Sequence, residues 1–365
     1  MIWYAPKLQS VEVYSSSFIV LQFTPEGNAW YGIPQFNLLE QNITVPGLSP
    51  ILPDVHCTGD SQICQVITGE GEINAASTIT SLVYSPLFDL NNTYFLIAGI
   101  AGISPKVGTI GSVTFARYAV QVALQYEFDA REKPADFPTG YVPLGSRAPD
   151  QYPGNTYGTE VLEVNDDLRQ AVIRMLNDTE LFDDEASQEY RANYANTTDF
   201  APGAAAPAVY ACDTATSDNY WAGSLLAGAF ENTTTLFTNG TGEYCTAQQE
   251  DNATLEALLR GAITGLLDFS RVIIMRTASD FDRPYAGQTA ANNLFNHTGG
   301  FAASIQNLRI AGVQVVESII AGWNETYLAG IKPTNYIGDP FGSLGGQPDF
   351  GHGSVFNGTG APSRR

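Results

Sequence analysis

A mixed β-sheet between helices, an α/β class of fold, is what this chain's hydrophobic pattern predicts, and three observations carry the prediction. Short apolar runs at 17–23 (SFIVLQF), 94–97 (YFLI) and 271–277 (RVIIMRT) read as strands buried on both faces, as in sheets covered by helices. Segments of helical periodicity alternate with them. The clearest is 252–268, where Leu255, Leu258, Leu259, Ala262, Ile263 and Leu266 recur on one face. Glycine and proline close most of the apolar runs, which places turns at strand ends, where α/β folds bind ligands.

Taken in order, the first strand ends in TPEGNAW, where Pro25 and Gly27 break it and Glu26 stands at its end. A Pro-, Gly- and Asp-rich loop follows at 46–64. A strand at 65–68 then meets Gly69-Glu70-Gly71 and a small-residue helix at 73–82; without a third glycine this is no dinucleotide fingerprint. The stretch 94–117, YFLIAGIAGISPKVGTIGSVTFAR, reads as a strand that leaves its sheet in a tight turn through Gly99 and Gly102. A second glycine pair, Gly108 and Gly111, leads into a strand at 112–116, and strand continues to about residue 126.

The stretch 134–158 lacks periodicity and reads as a long loop of the kind that forms lids. Helices are predicted at 163–175 and 186–194, with an Ala/Pro linker at 201–208. In ACDTATSDNYWAG, Ser217, Asp218, Tyr220 and Trp221 cluster between a strand and a helix; the adjacent aromatics either stack on a base or fill core. Asn252 is placed as the cap of the 252–268 helix, Glu256 and Arg260 as an i,i+4 pair, and Glu250 in the loop leading in. Ser279, Asp280, Asp282 and Arg283 follow the 271–277 strand, putting an acid where chemistry usually sits. An amphipathic helix at 301–323 precedes an irregular surface tail from Gly338. The whole chain, 1–365, reads as one domain with 127–210 as an insertion or lid and 338–365 as the tail.

Composition bounds the partners. The 17 basic and 38 acidic residues give a net charge of −21, which disfavours nucleic acid and anionic membranes. No apolar segment approaches the roughly 20 residues that span a bilayer. Four cysteines can form two pairs, Cys57 with Cys64 and Cys212 with Cys245. With no CxxC and three scattered histidines, no zinc site or other metal cofactor is expected. Ten Asn-x-Ser/Thr sequons, among them Asn252 and Asn296, point to an extracellular eukaryotic protein, although no signal peptide is visible at the N-terminus.

The motifs TPEGNAWY, GEGEINAAST, FLIAGIAG, FARYAVQVALQYEFDARE, CDTATSD and MRTASDFDRP closely resemble those of the fungal proteins called purine nucleoside permeases, over nearly the whole chain. Through them the chain is similar to the nucleoside phosphorylase and nucleosidase superfamily, which implies a three-layer fold with helices on both sides of a central mixed sheet. IAGIS followed by KVGTI resembles the nucleosidase SAGGL turn, so Ala101 and Gly102 would line the base and ribose pocket. By the same resemblance Asp280, preceded by Ser279, would protonate N7 of a purine, Glu26 would orient the attacking water, and Glu250 would bind ribose hydroxyls. Tyr220, beside Asp218 and Trp221, would stack on the base.

The resemblance implies a purine nucleoside as ligand, no cofactor, and a homodimer as the superfamily's common assembly. Phosphorylases set Arg and Ser around the glycine turn, whereas 95–100 here is wholly apolar, so hydrolysis is expected over phosphorolysis. The alternatives are a nucleoside-binding protein that assists uptake and a phosphate-dependent phosphorylase. The sequon at Asn252, close to Glu250, is expected to stay unglycosylated.

Overall fold

The computed structural model describes residues 13–349; the N-terminal segment, the end of the tail and the sequon at Asn357 lie outside the described residues. A twelve-stranded sheet organises the rest. Its strands are β1 (Ser17–Leu21), β2 (Gln41–Thr44), β3 (Asp54–Cys57), β4 (Ile63–Ile67), β5 (Tyr94–Ile103), β6 (Val113–Ala116), β7 (Tyr118–Gln121), β8 (Val161–Glu163), β9 (Val209–Ala211), β10 (Asp213–Thr216), β11 (Tyr244–Gln248) and β12 (Val272–Phe281). The main path runs β8-β7-β10-β11-β5-β1-β4-β3-β2, with β12 joining β5 to β6 and β9 beside β6. β1 is parallel to β4 and β5, and β12 is parallel to β5 but antiparallel to β6, so the sheet is mixed as predicted.

The helices are α1 (Thr24–Asn28), α2 (Glu72–Val83), α3 (Asp166–Met175), α4 (Glu185–Arg191), α5 (Ser224–Phe237), α6 (Asp251–Ile263), α7 (Ala290–Phe295) and α8 (Gly300–Ala321). Alternate strand residues feed two cores. Phe18, Val20, Phe95 and Ile97 pack with α2 and α6, while Ile19, Leu21, Leu96 and Met275 pack with α3 and α8. That double burial is why the strands are apolar at every position. Each fully buried aliphatic side chain contributes about 1.5–3 kcal/mol, so covering both faces dominates stability. Trp30, wholly buried, lies against α8, where a Cβ on Gly312 would stand 2.4 Å from its ring.

The structure corrects several expectations. β5 does not turn at Gly99 and Gly102; it runs on through both to Ile103, and β12 likewise continues past Thr277 to Phe281. The two strands stay extended because they pair with each other along these C-terminal halves, and β5 adds β11 at Gly102 and Ile103. Strand 112–126 breaks into β6, β7 and the pair Tyr126–Glu127, and the helix expected from 163 begins at Asp166, capped by Asn165, after β8. Asn252 does not cap α6. Glu250 holds that position, and Gln248 Oε1 accepts from the amides of Glu250 and Asp251 at 2.7 and 2.8 Å.

Asn252 is instead buried, donating to the carbonyls of Ala119 and Thr159, with no room for a glycan. The tail is irregular, but Asp339 is buried rather than superficial, and Gly338 pairs with Glu163. Both disulfides form as paired in the sequence: Cys57–Cys64 links β3 to β4, and Cys212–Cys245 links the start of β10 to β11.

Candidate active site

The site arises where two strands share one edge of β5. β1 pairs with β5 only up to Ile97, and β11 pairs with it at Gly102 and Ile103. Residues 98–101 face the gap between them. A cavity of about 720 Å³ opens there, reached by residues from the ends of β1, β5, β11 and β12, by the 217–221 loop and by 293–302. This is the divergence of strands at which α/β sheets hold ligands.

Loss of a sheet partner leaves Ile100 with unanswered backbone groups, and site side chains answer both. Its N–H donates to Glu26 Oε1 at 2.7 Å, and its carbonyl accepts from Arg276 Nη1 at 3.3 Å. Glu26 sits in α1, a short helix just after β1, and its Oε2 accepts from the amide of Gln22 at 2.8 Å. Burial pushes its carboxyl up to about 7, against the pull of Arg276 and the two amides. Gly99 makes this crowding possible: a Cβ there would lie 2.0 Å from Gln22 Oε1 and 2.7 Å from Glu26 Oε1.

Arg276, on β12 and 1 % exposed, is the cation of the cluster. It forks onto both oxygens of Asp251 and lies 3.8 Å from Glu250 Oε2. Glu250, buried at the start of α6, also accepts from the amide of Gly71 at 3.0 Å. Burial raises its carboxyl too, with Arg276 opposing.

At the other end of the cavity, β12 bulges between Ala278 and Asp280. The bulge takes Ser279 out of register and brings its hydroxyl to the Ala101 carbonyl at 3.2 Å and to Asp280 Oδ2 at 2.8 Å. Tyr220 donates to the same oxygen at 3.1 Å. Asp280 Oδ1 lies 2.9 Å from where a Cβ on Gly102 would stand, so that glycine clears space for the acid. Burial raises the Asp280 carboxyl above its ordinary range, the hydrogen bonds from Ser279 and Tyr220 oppose the shift, and the charge of Asp282 adds to it.

The cavity thus gathers Glu26, Glu250, Ala101, Gly102, Ser279, Asp280, Tyr220 and Trp221. Trp221 also meets Phe230 edge to face at 4.8 Å, so it belongs to both pocket and core. Asp218 is a correction: it does not line the cavity, because its carboxylate accepts from the amide of Glu72 at 2.8 Å at the start of α2. No residue of 127–210 lines the cavity either; the 293–302 segment forms that wall instead. Sequence reasoning missed Arg276 and Gln22. Gln22 interrupts a buried apolar run between Leu21 and Phe23, and Arg276 directly follows the buried run 272–275, which is the signal that marks them. Among the described residues no group of three or more His, Cys, Asp or Glu is arranged to hold a metal ion.

A model of the purine nucleoside permease family matches residues 16–332. The chain belongs to that family. It is 47 % identical over 342 residues to a purine nucleoside permease of Candida albicans, covering 92 % of this chain and 82 % of that one. A probable purine nucleoside permease of Schizosaccharomyces pombe is 42 % identical over 315 residues, 84 % of this chain and 89 % of that one. Among solved structures, a 5′-methylthioadenosine/S-adenosylhomocysteine nucleosidase of Neisseria meningitidis superposes with a TM-score of 0.50 at 11 % identity. The match covers 83 % of this chain and 98 % of that one, and shows that this family member shares the nucleosidase fold.

Proposed function

We propose that the chain is a purine nucleoside N-ribosyl hydrolase that cleaves inosine, guanosine or adenosine to free base and ribose. The observation that carries the reading is the placement of three buried or partly buried carboxyls, Asp280, Glu26 and Glu250, around one cavity. Departure of a purine leaves an oxocarbenium-like sugar, which calls for a proton at the base, a base for the incoming water and ligands for the hydroxyls. Asp280, raised by its surroundings, holds the proton for N7. Glu26, with its carboxyl near 7, takes the proton from water. Glu250 accepts from ribose hydroxyls.

Hydrolysis is favoured over phosphorolysis by charge. Among the described residues Arg276 is the single Lys or Arg that lines the cavity, and its guanidinium already donates to Asp251, Gln22 and the Ile100 carbonyl, so a phosphate dianion there would find no free cation to offset its burial. The second reading, a nucleoside-binding protein that assists uptake, draws on the names of the relatives. Among the described residues no helix is long and apolar enough to cross a membrane. Chromatography after incubation with each nucleoside, with and without phosphate, separates the readings: free base and ribose in phosphate-free buffer is the expected result. Ribose 1-phosphate formed only with phosphate would replace the hydrolase by a phosphorylase, and unchanged nucleoside would leave the binding protein.

The same proposal places the chain outside the cell. Of the nine described sequon asparagines, Asn252 alone is buried. Native protein treated with an N-glycanase is expected to lose mass, and no loss would remove that placement.

A further inference from the structure

One donor in the cavity has nothing to bind. Gln22, directly after β1 and 2 % exposed, presents its Oε1 to Arg276 Nη1 at 3.1 Å. A guanidinium only donates, so Arg276 dictates which way the Gln22 amide points and leaves Nε2 on the other side. Among the described buried side-chain atoms lining the cavity, Gln22 Nε2 is the one without a hydrogen-bond partner. Arg276 itself is already committed to Asp251, Gln22 and the Ile100 carbonyl. A buried, unpaired N–H is costly to keep, which argues that a ligand oxygen meets it.

We infer that Gln22 Nε2 holds the attacking water, an inference that rests on the hydrolase reading. With Arg276 committed, no cation among the described cavity residues is left to offset an anion, so the ligand oxygen is a neutral one, and Glu26, whose Oε2 accepts from the Gln22 backbone N–H, supplies the matching acceptor. Water then donates one proton to Glu26 and accepts from Nε2 on one lone pair, while its other lone pair faces C1′. That pair forms the new C1′–O bond as the C1′–N9 bond breaks with its electrons moving to the base. One water proton ends on Glu26, and the Asp280 proton ends on N7.

Two variants of the full chain test this. Gln22→Glu keeps the acceptor for Arg276 and exchanges the donor for an oxygen; Gln22→Met keeps length without a donor. With inosine in phosphate-free buffer, both are expected to lose about 10²-fold in kcat. KM, and hypoxanthine affinity by calorimetry, are expected to stay within about threefold, which also reports that the site is folded. Full kcat in both variants, or a raised KM at unchanged kcat, would overturn the assignment, the latter by making Gln22 a sugar ligand. Absence of base release by the wild type would sink the hydrolase reading and this inference together.

Discussion

Two buried glutamates, each with an arginine's charge opposing the effect of burial, occupy different parts of this fold. Glu163, at the end of β8, accepts from Arg117 Nε at 2.6 Å and from Asn335 Nδ2 at 2.7 Å. Its own backbone exchanges two hydrogen bonds with Gly338, so it ties the tail to the edge of the sheet. Glu26 is as deeply buried, but the bonds to its carboxylate come from backbone amides, those of Gln22, Phe23 and Ile100, and it lines the cavity. Burial raises both carboxyls. A displaced acid is therefore no mark of chemistry until it can also reach a ligand, and that access separates Glu26 from Glu163.

The sharpest test of the contrast is at the cavity. Asp280→Asn removes the proton for the leaving base and is expected to lower kcat about 10³-fold with little change in Tm; base release measured by chromatography reads it. Retained turnover would place the acid elsewhere. Glu26→Gln is expected to cost about 10²-fold. A general base works when ionised, so wild-type kcat/KM should rise with pH through about 7, and the variant should lack that limb.

How much of this was legible in the sequence follows from which forces act locally. The apolar runs and the α6 and α8 periodicity report burial directly, so the layers, Glu26, Glu250 and Asp280 could be placed from residues and motifs alone. The course of β5 through Gly99 and Gly102 could not, because local glycine preference for turns is overridden by pairing with strands far away in the chain. The same holds for Asp218, which looks like a pocket residue beside Tyr220 until α2 arrives to take its carboxylate. Asn252 has an asparagine's preference for a cap, yet Gln248 fills that role through a side chain that folds back from β11. Arg276 needed its partner Asp251, 25 residues away, before a charge in a buried strand made sense.

A smaller effect is expected from Tyr220→Phe. The Tyr220 hydroxyl donates to Asp280 Oδ2, which favours the ionised acid and holds its pKa down. Removing it should raise that pKa, keep Asp280 protonated to higher pH, and move the alkaline limb of the kcat profile upward with only a modest loss in kcat. An alkaline limb that stays in place would detach Tyr220 from the acid.

The smallest effect on activity, and the one that isolates the other half of the comparison, belongs to Glu163→Gln. With no route to the cavity, this change should leave kcat within about twofold. It should show instead in stability. A carboxyl raised in the folded state binds its proton there at pH values where the unfolded chain has released it, so stability falls as pH rises from about 4.5 through the folded pKa. Glu26 and Glu163 both contribute to that fall. Glu163→Gln should flatten part of it in denaturant midpoints measured across pH and leave the acidic limb of kcat/KM unmoved, whereas Glu26→Gln should alter both. If Glu163→Gln displaced the activity limb as well, the two carboxyls would be coupled through β7 and β10, and the separation between a structural and a chemical carboxyl would fail.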